Sequence, residues 1–203
     1  MQTFFRRIRK FKANSFTLVE LLVVISIIGL LAGLAVPAIQ GGLDKAKQQV
    51  DVSNIRQCGL IAFGYANDND GNFFGTNTAF TSTQYFTNLV SLGLLTSTKI
   101  LSGNGYTAAT STNNIQANNI AWAVNGPLTS SDDGMLPLFL SKNIGTTALA
   151  SNVSLASATN SWKSKGLVVY RIGNSAEFIR ADNSKQVSLG ITNNATGASV
   201  STQ

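Results

Sequence analysis

The sequence predicts an α+β protein, with one long amino-terminal helix followed by a small antiparallel β-sheet. Residues 21–39 contain no charged side chain, and a helix of this length crosses most of a hydrocarbon layer about 30 Å thick. Much later, the apolar segments 166–172 and 175–180 flank a short Gly-Asn turn and predict a β-hairpin. A third strand is expected at residues 186–191, and the small, polar last dozen residues are expected to be frayed.

The net charge of +6 is concentrated at the amino terminus. Residues 1–15 contain five basic side chains and no acid, whereas the rest of the chain has ten basic and nine acidic side chains. The positive-inside rule therefore places residues 1–15 in the cytoplasm and the chain after the apolar segment outside it. Without a basic cluster on the folded part, nucleic acid is an improbable partner.

Ordinary export signals also explain a basic start followed by an apolar run. A secretory signal peptide would use Val36-Pro37-Ala38 as a small-residue cleavage site, and an uncleaved signal anchor is a second possibility. A lipoprotein signal would need a cysteine directly after the apolar run, and Cys58 comes far too late. This single cysteine is expected to be a small buried residue on a helix rather than an intermolecular bridge.

Glu20 is an acid placed near the start of the apolar run. An unpaired charge in hydrocarbon costs several kcal/mol, so acids in such positions are usually paired and functional. A side chain at headgroup level, in water, is the other interpretation. The apolar run alone does not decide between them.

Residues 15–20 read Ser-Phe-Thr-Leu-Val-Glu and open the apolar run behind the basic segment. This stretch resembles the prepilin-type cleavage and methylation motif of type IV pilins and type II secretion pseudopilins. The resemblance implies cleavage between Ser15 and Phe16, N-methylation of Phe16, and a role for Glu20 as the family's assembly glutamate. Ser15 stands where the family usually has glycine.

The resemblance also implies a pilin-like fold, in which the second half of the helix packs on the sheet and Pro37 introduces a kink. The implied function is that of a structural subunit, not an enzyme, in a type IV pilus or a type II secretion pseudopilus. The implied partners are a prepilin peptidase, an inner-membrane assembly platform with its ATPase, and homologous subunits in a homopolymer or mixed filament. The implied location is the bacterial inner membrane, and then a periplasmic or cell-surface filament.

Four segments follow from this interpretation. They are a leader at 1–15, a transmembrane and assembly helix at 16–39, an amphipathic continuation at 40–66, and a loop-rich β domain outside the inner membrane at 67–203. In the continuation, one side of the helix is predicted to carry Leu43, Ala46, Val50, Cys58, Ile61 and Tyr65. The helix is expected to end in the turn-forming residues 67–71, where Asp68 and Asp70 are weak candidates for calcium.

The rest of the sequence contains no recognisable catalytic motif. No histidine and no Ser-x-x-Lys spacing occur, so a catalytic site is not expected. The uncharged segment between Lys99 and Asp132 is expected to form surface loops around a strand at 120–124. Trp122, Trp162 and the apolar run 134–140 are expected to fill the core. An exported or membrane-anchored binding module is the alternative function.

Overall fold

The computed structural model describes residues 16–73, 81–145, 149–156 and 162–191, and the backbone of residues 199–201. The chain divides into two compact units, the first ending at Asp44 and the second beginning at Lys45. Ser15 and the rest of the leader lie outside the described residues.

Helix α1 runs from Leu18 to Asn67 and contains Pro37 without an interruption. An 18-residue window of this helix has a mean hydropathy of 2.7 and none of it is buried, so α1 is long and apolar enough to cross a membrane. A signal sequence would meet the same criterion, and the residues that open the helix must distinguish the two. The helix ends as predicted: Asp70 and Gly71 adopt φ of 54° and 78° just beyond it.

The buried face of α1 differs from the predicted one. Cys58 is fully buried as expected, and Ile61 and Tyr65 are half-buried, but Leu43, Ala46 and Val50 are exposed. The face that packs on the domain consists instead of Asp51, Ile55, Cys58, Gly59, Ala62 and Ala66. Hydrophobic periodicity missed it because an acid and a glycine occupy two of its positions.

A second helix, α2, runs from Ser82 to Ser91 and was not predicted within the loop-rich domain. Thr81 and Gln84 form a reciprocal capping box at its start, a signal that the sequence does contain. Tyr85, Phe86 and Leu89 form its buried side. The helix thus adds a second apolar face to the domain.

Within the part of the chain that the structure describes, seven strands form two antiparallel sheets. The larger has the order β5-β4-β2-β1-β7 and the smaller pairs β3 with β6. Their bounds are β1 Trp122–Gly126, β2 Pro137–Ser141, β3 Asn152–Ser154, β4 Gly166–Arg171, β5 Ala176–Arg180, β6 Gln186–Ser188 and β7 Ser199–Ser201.

The late hairpin is confirmed as β4 and β5, with a longer turn than predicted. The Arg171 amide donates to Ser175 at 2.9 Å, so Ile172 belongs to a three-residue turn in which Asn174 has φ of 57°. The predicted third strand is confirmed in shortened form as β6, which pairs with β3. The segment 199–201 pairs with β1, so the expectation of a frayed end was wrong for these residues.

Both faces of the large sheet are covered. On one face, Val168 and Tyr170 join a core with α1 and α2; on the other, Leu167 and Val169 pack with the small sheet. A strand that is buried on both faces requires a continuous run of apolar residues, as β4 has.

Trp122 and Trp162 are buried as expected, and β2 places most of the apolar run 134–140 at the sheet centre. The segment between Lys99 and Asp132 is not only surface, since Ile100, Leu101, Ile120 and Ala121 are buried.

Candidate processing and assembly site

The site begins at the first turn of α1, where Thr17 and Glu20 each donate a hydrogen bond to the other residue. The Glu20 amide donates to Thr17 Oγ1 at 3.2 Å. In return, Glu20 Oε2 accepts from the Thr17 amide at 2.9 Å and from Thr17 Oγ1 at 2.8 Å. Thr17 is therefore the N-cap and Glu20 the third helical residue of a capping box.

This capping box fixes the position of the Glu20 carboxylate. A carboxylate in the first turn also faces the positive end of the helix dipole. Among the described residues, its hydrogen bonds all use Oε2 and come from Thr17. Oε1 accepts no hydrogen bond from the described residues, and Phe16, four residues before Glu20 in the sequence, is exposed.

Among the described residues, the part of α1 that follows presents an exposed apolar surface. Its large side chains from Leu18 to Ile39 are all about half exposed or more. Gly29 and Gly33 are four residues apart on one side, and an added Cβ would meet nothing within 4 Å at either position. Small residues at this spacing allow helices to approach closely in a membrane, a feature that the sequence interpretation overlooked.

The other predicted site residues lie in different places. Pro37 is inside the continuous α1, and its predicted kink stays a prediction. Asp68 and Asp70 lie in the exposed turn after α1. The described residues include no group of three or more His, Cys, Asp or Glu that could hold a metal ion. Calcium binding at this turn also stays a prediction.

Two comparisons with known proteins match the amino-terminal segment of the chain, which includes this first turn. Residues 10–36 match the model of the prokaryotic N-terminal methylation motif. Over 47 residues, the chain is 49% identical to type II secretion system core protein G of Aeromonas hydrophila. These matches confirm the resemblance to pilins and pseudopilins that carry a prepilin-type motif.

The similarity is confined to part of each protein. The 47 matched residues make up 23% of this chain, and they span about a third of the relative, 33% of its length. The comparison with solved structures found no significant match to this chain. The amino-terminal motif is therefore the part of this chain that the comparisons cover, and the packing of the second unit is seen only in the structure of this chain.

Proposed function

We propose that this chain is a structural subunit of a type IV pilus or a type II secretion pseudopilus. It is cleaved between Ser15 and Phe16 by a prepilin peptidase, methylated on Phe16, and polymerised through α1. The observation that carries the proposal is the capping box of Thr17 and Glu20 at the opening of an uncovered apolar helix.

Cleavage would give Glu20 an ionic partner. The new α-amino group of Phe16 is protonated near neutral pH, and in a filament core it would lie against the carboxylate of a neighbouring subunit. Burying either charge alone is unfavourable, whereas the pair offsets much of that penalty. Because the partner belongs to another subunit, the pair favours one axial register over the others.

The apolar helix supplies the rest of the interface. Leaving lipid for a bundle of similar helices gives no hydrophobic gain, so close packing at positions such as Gly29 and Gly33 must stabilise the bundle. Before assembly, the same helix anchors the subunit in the inner membrane, and the basic leader keeps the amino terminus in the cytoplasm. An assembly platform with its ATPase would extract the subunit from this state.

Intact mass and amino-terminal sequencing of the chain from native membranes or sheared filaments test this proposal. The expected mature chain begins at Phe16 and carries one added methyl group. A chain that begins at Ile39 would contradict the proposal, because cleavage after Ala38 discards Glu20 and leaves an exported binding module. An uncleaved chain would indicate a plain membrane anchor.

A pair of variants tests the assembly role itself. Glu20→Gln keeps the size of the side chain and its ability to accept hydrogen bonds but removes the negative charge. Membrane insertion should be unchanged in this variant, while its incorporation into filaments should fall sharply. Ser15→Gly is the matched processing variant, and it should speed leader removal without altering the assembly of mature subunits. Normal filaments from Glu20→Gln would contradict the ionic role.

A further inference from the structure

An open groove of about 260 Å³ lies on the surface of the second unit, between α1 and the segment that follows α2. Its lining includes Gln57, Leu60 and Ile61 from the helix and Leu94, Ser97 and Ile100 from the segment. Leu60 is 52% exposed and Leu94 is 40% exposed. Within the described residues, this apolar surface is therefore left uncovered by the chain itself.

Two exposed basic residues adjoin the groove lining in the sequence. Arg56 precedes Leu60 by one helical turn on the same side of α1, and both are exposed. On the other segment, the exposed Lys99 lies in the sequence between the lining residues Ser97 and Ile100. The lining segments, residues 57–61 and 94–100, together with Arg56, contain these two bases and no acid. An occupant of this groove should combine an apolar side chain with negative charge.

The loop 129–135 of the same chain has this chemistry. Met135 is 47% exposed and follows the exposed Asp132 and Asp133. The Thr129 amide donates to Asp132 Oδ2 at 2.6 Å, and the Met135 amide donates to Asp133 Oδ1 at 2.9 Å. These bonds hold the loop in one shape with the methionine side chain outside the core.

The end of α1 adds negative charge beside this loop. The Ser130 amide donates to the Gly71 carbonyl at 2.7 Å, which brings the turn containing Asp68 and Asp70 next to it. The segments 67–73 and 129–135 together contain four acids and no base. The charge of the loop region is thus opposite to that of the two basic residues that adjoin the groove lining.

We propose that the groove binds the 129–135 loop of a second copy of this chain. Met135 would enter between Leu60 and Leu94, with the acids of the loop facing Arg56 and Lys99. The inference rests on the proposed function, because it supplies a contact between the second units of adjacent subunits. Groove and loop are different surfaces, so the contact repeats from copy to copy and produces an open chain of subunits, not a closed dimer.

Disulfide trapping in the full-length chain tests the contact in cells that assemble the filament. The native Cys58 is fully buried and should not form a disulfide under mild oxidation. The double variant Ser97→Cys with Ser131→Cys places one exposed thiol at the groove and one in the loop. Mild oxidation should give a ladder of dimers, trimers and longer species. Either single variant should give no ladder, and a mixture of the two single variants should give dimers only.

The matched control replaces Ser97→Cys by Ser154→Cys, which puts an exposed thiol on β3, away from the groove lining. This control should give no ladder. Arg56→Glu should reduce the ladder of the double variant by about two- to fivefold, as expected for an exposed ion pair. Dimers from one single variant, an equal ladder in the control, or crosslinks only to a different protein would each overturn the proposal.

Failure of this contact and failure of the proposed function give different results. Filaments that begin at Phe16 and depend on Glu20 but yield no ladder would overturn the groove contact alone. If the chain is not cleaved at Phe16 and no filament forms, the proposed function is wrong and the contact is rejected with it.

Discussion

The indole Nε1 of Trp162 donates a hydrogen bond of 2.8 Å to Asp51 Oδ2, which joins positions 111 residues apart in the sequence. The same buried carboxylate accepts the Asn104 amide at 3.1 Å. Asp51 therefore connects α1 to the residues just before β4 and to the loop after Leu101. Burial raises the pKa of Asp51, while the hydrogen bonds from Asn104 and Trp162 oppose that rise.

Removing the indole donor should destabilise the second unit. Trp162→Phe keeps an aromatic ring but leaves a buried carboxylate with one donor fewer, and we expect it to lower the free energy of unfolding by about 1–3 kcal/mol. Urea unfolding of the full-length chain in detergent micelles, followed by circular dichroism, measures this loss. Trp122→Phe is the control, because its Nε1 donates to the neutral Ile100 carbonyl at 2.7 Å. A larger loss in the control would contradict the importance of the buried charge.

The raised pKa of Asp51 also predicts how stability changes with pH. The folded chain holds this proton more tightly than the unfolded chain, whose pKa lies near the model-compound value of 3.8. The contribution of Asp51 is therefore fully present below that pH, and it is lost as pH rises from there to the folded pKa. Asp51→Asn does not titrate, so the stability of the wild type relative to this variant should fall over the same range. Unfolding series at several pH values measure the difference, and a constant difference would contradict the prediction.

At Gly59, the ring of Tyr170 on β4 lies directly against the backbone of α1. A Cβ added here would overlap the ring of Tyr170 on β4. Gly59→Ala should therefore destabilise the chain by about 1–3 kcal/mol, as overpacking of a core does. Gly64→Ala is the matched control on the same helix, since an added Cβ there meets nothing within 4 Å. It should stabilise the chain by about 0.4–1 kcal/mol. Thermal unfolding of both variants checks the opposite signs, and a stabilised Gly59→Ala would show that the ring does not pack against the helix.

Local patterns predicted the parts of the fold that depend on neighbouring residues. The apolar helix, its end before Gly71, and the hairpin of β4 and β5 each follow from periodicity and turn chemistry within a few residues. The pairing of β7 with β1 joins segments more than 70 residues apart. A strand of Ser-Val-Ser has no apolar pattern, so nothing local indicates that it completes a sheet.

The same distinction applies to the site. Phe16 and Glu20 were predicted as site residues because the motif is contiguous, and the Thr-x-x-Glu spacing of the capping box lies beside them. Asp51 looked like one of several charges beyond the apolar run. Its burial depends on Trp162 and Asn104, which are brought to it only by the folded domain. Long-range partners of this kind are not encoded in the spacing around a residue.

The capping box predicts that Thr17 acts on assembly through Glu20. Thr17→Ala removes the acceptor for the Glu20 amide and a donor to its carboxylate, which should weaken the start of α1 by about 0.5–2 kcal/mol. The carboxylate would then be less well held for a neighbouring amine. Filament yield after shearing should fall in this variant, while the subunit remains in the membrane.

Thr17→Ser is the matched control, since a serine hydroxyl forms the same two bonds. It should assemble nearly as well as the wild type, whereas Thr17→Ala combined with Glu20→Gln should be no worse than Glu20→Gln alone. Such non-additivity is expected when two residues act through one contact. The measurement is the ratio of sheared filament to membrane-bound subunit, together with the mass of each pool to confirm equal leader removal. Equal yields from the alanine and serine variants would mean that the hydroxyl does not position the carboxylate, and that Glu20 is held in the filament by its neighbours alone.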